Sequence, residues 1–320
     1  MTLDSCEMLF FRQYLQHLQG DDSTDLVAGA AFAAGLEAAR KAYFDEGMSE
    51  FDSVELGQLA IKERYGDHIP WATSLKTCST MQDALINYFM EYPLGIDELV
   101  PLKLEDGTHA IEYSFIHELP FEHPDIPGMP IMIAGRADML ASYLGRIWVS
   151  DEKTTGQAFT KNWASQWETR GQFSTYCWGL RKNNIDVYGG LIRGVWIGKT
   201  GFKFQQTPTS RNNFMVHIWE KQMLEKVDSV LKKYKAWKES TQHPLEFFHG
   251  AWGDSCFKYF KPCAYQQLCR DKNSEQFLES QYTQHIWLPH EQRRVLLDDF
   301  LTEYGIGDSV TTTDFDGFKL

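Results

Sequence analysis

Apolar and polar residues recur in two periods along this chain. Over the first third the spacing is helical. Residues 6–18 (CEMLFFRQYLQHL) predict a short helix, and Ala28, Ala31, Ala34 and Ala38 mark a small-residue face on a longer one. That second helix runs from about Asp25 to Phe44, with Ser23 or Thr24 to cap it and Gly47 just past its end. Further helices are expected over roughly Ser53–Tyr65 and Met81–Tyr92. From His109 the period drops to two: HAIEYSFI (His109–Ile116) alternates like a half-buried strand, and the Pro/Gly-rich stretch Pro120–Pro130 turns the chain back. Two apolar runs follow, Ile131–Ala134 and Ile147–Val149, with Gly145 marking the turn between them. A helix over Trp163–Leu180, a strand over Tyr188–Ile197, a long amphipathic helix over Phe214–Glu239 and a helix near Glu291–Tyr304 complete the expectation. This order predicts an α/β (α+β) fold in three segments: a helical N-terminal region (1–105), a mixed core (106–240), and a cysteine-bearing segment with a tail (241–320).

The apolar runs end in acids. The first leads into Asp138 and the second into Asp151-Glu152-Lys153. Two carboxylates side by side at strand ends repel one another, and a divalent cation relieves that cost. Lys153, two residues after Asp151, projects to the same face of its strand. A metal and a lysine beside a substrate suit phosphodiester hydrolysis.

Composition changes the picture in one place. The 320 residues, 43% of them hydrophobic, suffice for a sizeable core, and the apolar runs are short of the roughly 20 residues that span a bilayer. The start, MTLDSCEMLFF, has no basic stretch before its apolar residues, so a soluble, cytoplasmic protein with no membrane partner is expected. The formal charge of −13 speaks against a polyanionic partner. Its distribution does not: from Gly156 to Met215 eight basic residues (Lys161, Arg170, Arg181, Lys182, Arg193, Lys199, Lys203, Arg211) face two acids (Glu168, Asp186), a local +6. A basic wall beside an acidic metal site suits DNA, with Lys161, Arg170 and Arg193 as its nearest candidates.

Taken in order, Gly135-x-x-Asp138, Asp151-x-Lys153-Thr154 and Gln172-x-x-x-Tyr176 resemble the PD-(D/E)XK nuclease superfamily, and within it the RecB-like exonucleases, which include CRISPR-adaptation and phage recombination nucleases. The resemblance implies a restriction-endonuclease-like core, a central mixed sheet flanked by helices. It also implies that Asp138, Asp151 and the backbone carbonyl of Glu152 hold Mg²⁺ or Mn²⁺, that Lys153 stabilises the transition state, and that Gln172 and Tyr176 position the substrate and brace the lysine. Glu112 stands at a recurrent acidic position of the family. The chain departs from the family at Gly29-Ala30-Ala31-Phe32-Ala33, where alanine replaces a metal-binding histidine. Glu37, one turn on, could reach inward, and a single catalytic metal is the expectation.

Cys256, Cys263 and Cys269 lie close together in an aromatic, basic segment, a spacing that in a reduced chain points to metal. Three thiolates need a fourth ligand. Iron–sulfur members of the RecB-like branch use one cysteine near the start and three near the end, which makes Cys6 the fourth and a 4Fe–4S cluster the implied occupant. Zinc is the alternative, with Cys6, His249 or Cys78 completing the set. The resulting expectation is a metal-dependent deoxyribonuclease, an exonuclease of recombination, repair or replication, in a host cytoplasm if phage-encoded, with a recombination or replication protein as possible partner. A catalytically silent module that binds DNA ends is the alternative, and the missing histidine is its support.

Overall fold

The computed structural model describes residues 2–20, 22–125, 127–253, 256–258, 261–291 and 293–296. The chain forms two compact units, one from residues 22–115 and 135–218, the other from residues 1–21, 116–134 and those from 219 onward. Neither coincides with the segments 1–105, 106–240 and 241–320, because both units are assembled from separate stretches of chain.

In the first unit, helix α1 (Thr24–Phe44) starts where the Ser23 side chain accepts the Leu26 N–H. Its buried face carries Ala28, Ala31, Phe32, Gly35, Leu36 and Ala39, whereas Ala34 and Ala38 are half-buried. Helix α2 (Glu50–Tyr65), capped by Ser49, crosses it where Gly35 meets Gly57. A Cβ on Gly57 would lie 2.7 Å from the Gly35 carbonyl oxygen, so only glycine lets the helices approach this closely. Helix α3 (Cys78–Glu91) is capped by Thr77 and buries Met81, Ala84, Leu85 and Tyr88 into the same core.

The strands are β1 (Val100–Pro101), β2 (Ile111–Glu122), β3 (Pro130–Tyr143), β4 (Arg146–Thr155), β5 (Val187–Gly198) and β6 (Gly201–Ser210). They form one mixed sheet in the order β1-β3-β4-β5-β6, with β2 also paired to β3. Helices flanking one mixed sheet make the α/β arrangement that the sequence resemblance implies. Leu144 and Gly145, both at positive φ (48° and 71°), make the tight turn that returns β3 into antiparallel β4. Strands β4 and β5 are parallel, and the crossover between them carries α4 (Lys161–Ser165) and α5 (Gly171–Lys182). The single helix expected over Trp163–Leu180 is therefore two. Buried Arg211 donates to the carbonyls of Trp167 (2.8 Å) and Arg170 (3.2 Å), a tertiary demand on the backbone that breaks the helical ladder there. Helix α5 seats closely on the sheet because Gly179 faces Phe115: a Cβ there would lie 2.2 Å from the ring. Strand β6 was absent from the expected elements; its sequence, GFKFQQTPTS, is too polar to read as a strand.

The second unit receives the later part of helix α6 (Asn213–Lys238) and buries Leu3, Met8, Phe11, Val230, Tyr234 and Phe248 together. Phe11 stacks on Phe248 at 4.3 Å. Residues 6–18 do not form one helix. A short helix (Glu7–Phe10) widens into a π-turn (Phe11–Leu15), and Leu18–Gln19 is a strand paired with Thr283–Leu288. Arg12, inside the π-turn, is buried against Glu275 and Gln16, a polar anchor that helical periodicity does not reveal. Of the helix expected near Glu291–Tyr304, Arg293–Leu296 is instead a strand, and residues 297–304 lie outside the described residues. Among the described residues no helix is long and apolar enough to cross a membrane.

Candidate active site

The pleat of β4 decides which side chains meet. Asp151 and Lys153 point to one face and Glu152 to the other. On the first face, Lys153 Nζ lies 2.6 Å from Asp151 Oδ2. Gln172, on α5, donates through Nε2 to Asp151 Oδ1 (2.9 Å) and to the Tyr176 hydroxyl (2.9 Å). Asp138, on adjacent β3, accepts the Glu152 backbone N–H at Oδ2 (3.1 Å). The structure thus brings Asp138, Asp151, Lys153, Gln172 and Tyr176 to one place.

The charges there are unbalanced. Burial, then the neighbouring Asp151, push the Asp138 carboxyl well above the usual carboxylate range. Burial also raises Asp151, against the opposing pull of Lys153. Burial disfavours the Lys153 ammonium, but Asp151 and Asp138 outweigh it and keep the lysine charged. Burial and the same two acids raise Tyr176, which remains a neutral phenol. Asp151 Oδ2 is buried, and its partner is the Lys153 ammonium at 2.6 Å. Two buried acids, both pushed up by burial and sharing one ammonium, are a donor set that suits a hard divalent cation with oxygen ligands. Among the described residues no three His, Cys, Asp or Glu side chains converge at coordinating distance, so the set on hand is two acids and backbone or water oxygens.

Glu152 meets a different environment on the opposite face. Arg40 NH2 lies 2.5 Å from its Oε1, and the hydroxyls of Tyr88 (2.8 Å) and Ser150 (3.0 Å) donate to the same oxygen. Burial would raise this carboxyl, but Arg40 prevails and holds it down at about 2. Arg193 extends the network, donating to Tyr88 (3.3 Å) and to both oxygens of Asp97 (2.6 Å each). This corrects the reading of Arg193 as a DNA contact: it is 1% exposed and committed to Asp97. Arg211 is buried as well, and Arg181 donates to the carbonyls of Val187 and Arg211. The basic wall therefore reduces to Lys161, Arg170, Lys182, Lys199 and Lys203. Of these, Arg170 is the one whose field reaches Asp151.

Glu112 is buried at φ 55°, a backbone region costly for a side-chain-bearing residue, and pairs with Arg136 (2.5 Å). Burial raises its carboxyl to about 7. Glu37 pairs with Lys41 one turn along α1 (2.6 Å) and adds repulsion to Glu112. Ala33 is half-buried. Arg40, Tyr88 and Arg136 were not singled out in the sequence. Arg40 had a readable signal: it shares the α1 face of Phe32 and Leu36, and an arginine on an apolar stripe needs a buried partner.

In the second unit, Cys6, Cys256, Cys263 and Cys269 line one apolar cavity of about 320 Å³ with Leu9 and Tyr265. None of the six cysteines forms a disulfide. The Cys6 sulfur accepts the Leu9 N–H (3.4 Å), and the Cys263 N–H donates to the Cys256 carbonyl (2.9 Å). Burial pushes the Cys269 thiol up to about 11. The four sulfurs share the cavity without converging on a single coordination point. His249 is turned outward, its side chain 79% exposed, and Cys78 opens helix α3 in the first unit.

Comparison with known proteins places this geometry. The family model of the PD-(D/E)XK nuclease superfamily matches residues 1–270, most of the chain. No curated protein matches. Among solved structures, one titled "Crystal structure of SSO0001" is similar over 72% of this chain and 84% of that one, at 14% identity and a TM-score of 0.27, too low to carry an argument.

Proposed function

The chain belongs to the PD-(D/E)XK nuclease superfamily, and from that premise we propose that it is a metal-dependent deoxyribonuclease, an exonuclease that trims DNA in recombination, repair or replication. The observation that carries the reading is the pair Asp138 and Asp151 beside a charged Lys153, held in place by Gln172. In this reading Asp138, Asp151 and the Glu152 carbonyl hold Mg²⁺ or Mn²⁺. The cation, when bound, polarises the scissile phosphate and activates a water. Lys153 stays protonated throughout and places its charge where negative charge accumulates on the phosphoryl oxygens. Gln172 holds one Asp151 oxygen and Lys153 the other, which fixes the orientation of the carboxylate that would bind the cation. Tyr176, a neutral phenol, accepts from Gln172 and keeps its own proton for a substrate oxygen. Lys161 and Arg170 lie on the exposed surface after β4, where a DNA backbone would pass.

The proposed occupant of the four-cysteine cavity is a 4Fe–4S cluster, with zinc as the alternative. Four sulfurs on one apolar cavity support it, and anaerobic purification separates the two: iron with acid-labile sulfide, or zinc alone. A second reading, a silent DNA-end-binding module, draws on Ala33 at the position of the family's histidine. The test of the main reading is hydrolysis of end-labelled DNA with Mg²⁺ or Mn²⁺. Wild-type protein should degrade it and the Asp151→Ala and Lys153→Ala variants should not. Tight binding without hydrolysis under either metal would favour the silent module.

A further inference from the structure

A second cavity, of about 740 Å³, opens at the other end of the sheet among Ser142, Arg146, Arg181, Tyr188, Ser210 and Asn212. Along β4 it begins at Arg146, five residues and roughly 17 Å from Asp151. Three arginines are among its lining residues, Arg146, Arg181 and Arg211, against one acid, Asp186; the Arg211 guanidinium itself is buried behind the wall. Arg12, Arg40, Arg136 and Arg193 each pair with a carboxylate. Among the described residues none of the three cavity arginines does. Arg211 is 1% exposed and donates only to neutral acceptors: Ser174 Oγ (3.1 Å), Thr209 Oγ1 (2.7 Å) and the carbonyls of Ser210, Trp167 and Arg170. Arg181 donates to two carbonyls and, through NH1, to Asn213 Oδ1 (3.3 Å). Arg146 is exposed and lies over the Tyr188 ring at 4.2 Å, which holds its guanidinium at the rim, with no hydrogen-bond acceptor for its N–H groups among the described residues.

A buried cation whose partners are dipoles and not a carboxylate keeps its net charge, and the residual field favours an anion in the adjacent space. Arg211 supplies the field, while Arg146 and the open side of Arg181 supply donors in the forked geometry that fits phosphate oxygens. We propose that this cavity is a phosphate-binding site, separate from the acidic pair at the opposite end of β4. The phosphate comes either from the backbone of a nucleic-acid strand or from a free mononucleotide. The strand source rests on the nuclease reading above, and the mononucleotide source does not.

Both sources are separable by binding measured without divalent metal, on the Asp151→Asn protein so that no probe is consumed. The probes are a fluorescent single-stranded oligonucleotide and a 5′-deoxymononucleotide. Arg146→Glu, at an exposed position, should weaken at least one probe roughly tenfold and lower the salt dependence of oligonucleotide binding by about one phosphate contact. Arg146→Lys should retain most of the affinity. Loss confined to the oligonucleotide assigns a strand phosphate, and loss confined to the mononucleotide assigns a free nucleotide. Unchanged affinity for both probes in Arg146→Glu and in Arg181→Gln overturns the proposal. An absence of hydrolysis by the wild-type protein would instead contradict the nuclease reading and leave the Arg146 result standing.

Discussion

Asp151 and Glu152 are adjacent on one strand, both carboxylates are buried, and their environments drive them in opposite directions. Glu152 turns to Arg40, Tyr88 and Ser150 and is held at about 2. Asp151 turns to another acid and a single lysine, and burial raises it. The first arrangement is complete: each strong interaction of the carboxylate is answered within the fold. The second is not, since two buried acids share one ammonium and both carboxyls are pushed up. A completed charge network reads as structure, and an incomplete one reads as a place for something still to bind.

That contrast breaks most readily at Asp151. Asp151→Asn should lower hydrolysis roughly 10³-fold, ~4 kcal/mol of transition-state stabilisation, while thermal stability holds or rises because a repulsive charge is gone. A loss of folding in that variant would show that the acid is structural after all. On the other face, Arg40→Met strands the buried Glu152 charge and should cost about 3–5 kcal/mol in urea unfolding. A smaller effect, sharpening the same comparison, is the response to pH. The folded Glu152 pKa lies below its ordinary 4.5, so its contribution is complete above that value and fades as pH falls toward 2. Unfolding midpoints between pH 5 and 2.5 should therefore drop more steeply for wild type than for Glu152→Gln. Glu112 has the opposite sign: raised to about 7, it favours the folded state less as pH climbs from 4.5 through 7. Relative to wild type, Glu112→Gln should therefore be more stable at pH 8 than at pH 4.5, read from the same curves.

Much of this was legible in the residues. Acids after apolar runs, a lysine two positions on, and Gln172 four residues before Tyr176 each follow from a short-range period, and short-range periods survive folding. The N-cap Ser23 and Gly47, just past the C-cap Asp45, bracketed α1 for the same reason. The expected strand ends do not hold, because β3 continues to Tyr143 and β4 to Thr155, so Asp138 and Asp151 sit inside their strands, where sheet pairing carries the backbone past the apolar runs. What could not be read depends on partners distant in sequence. Arg193 looked like a surface cation because nothing nearby in the chain announces Asp97, 96 residues earlier. The break between α4 and α5 is imposed by Arg211, more than 40 residues downstream. Strand β6 is polar and was missed because its place is set by pairing with β5, from Gly189 opposite Ser210 to Gly198 opposite Gly201.

The central claim is that the Asp151 face holds a divalent cation and the Glu152 face does not. Calorimetric titration with Mn²⁺ addresses it directly. One cation should bind per chain, binding should disappear in both Asp138→Asn and Asp151→Asn, and it should persist in Glu152→Gln, which keeps the backbone carbonyl. Undiminished Mn²⁺ binding in the two aspartate variants would contradict the account.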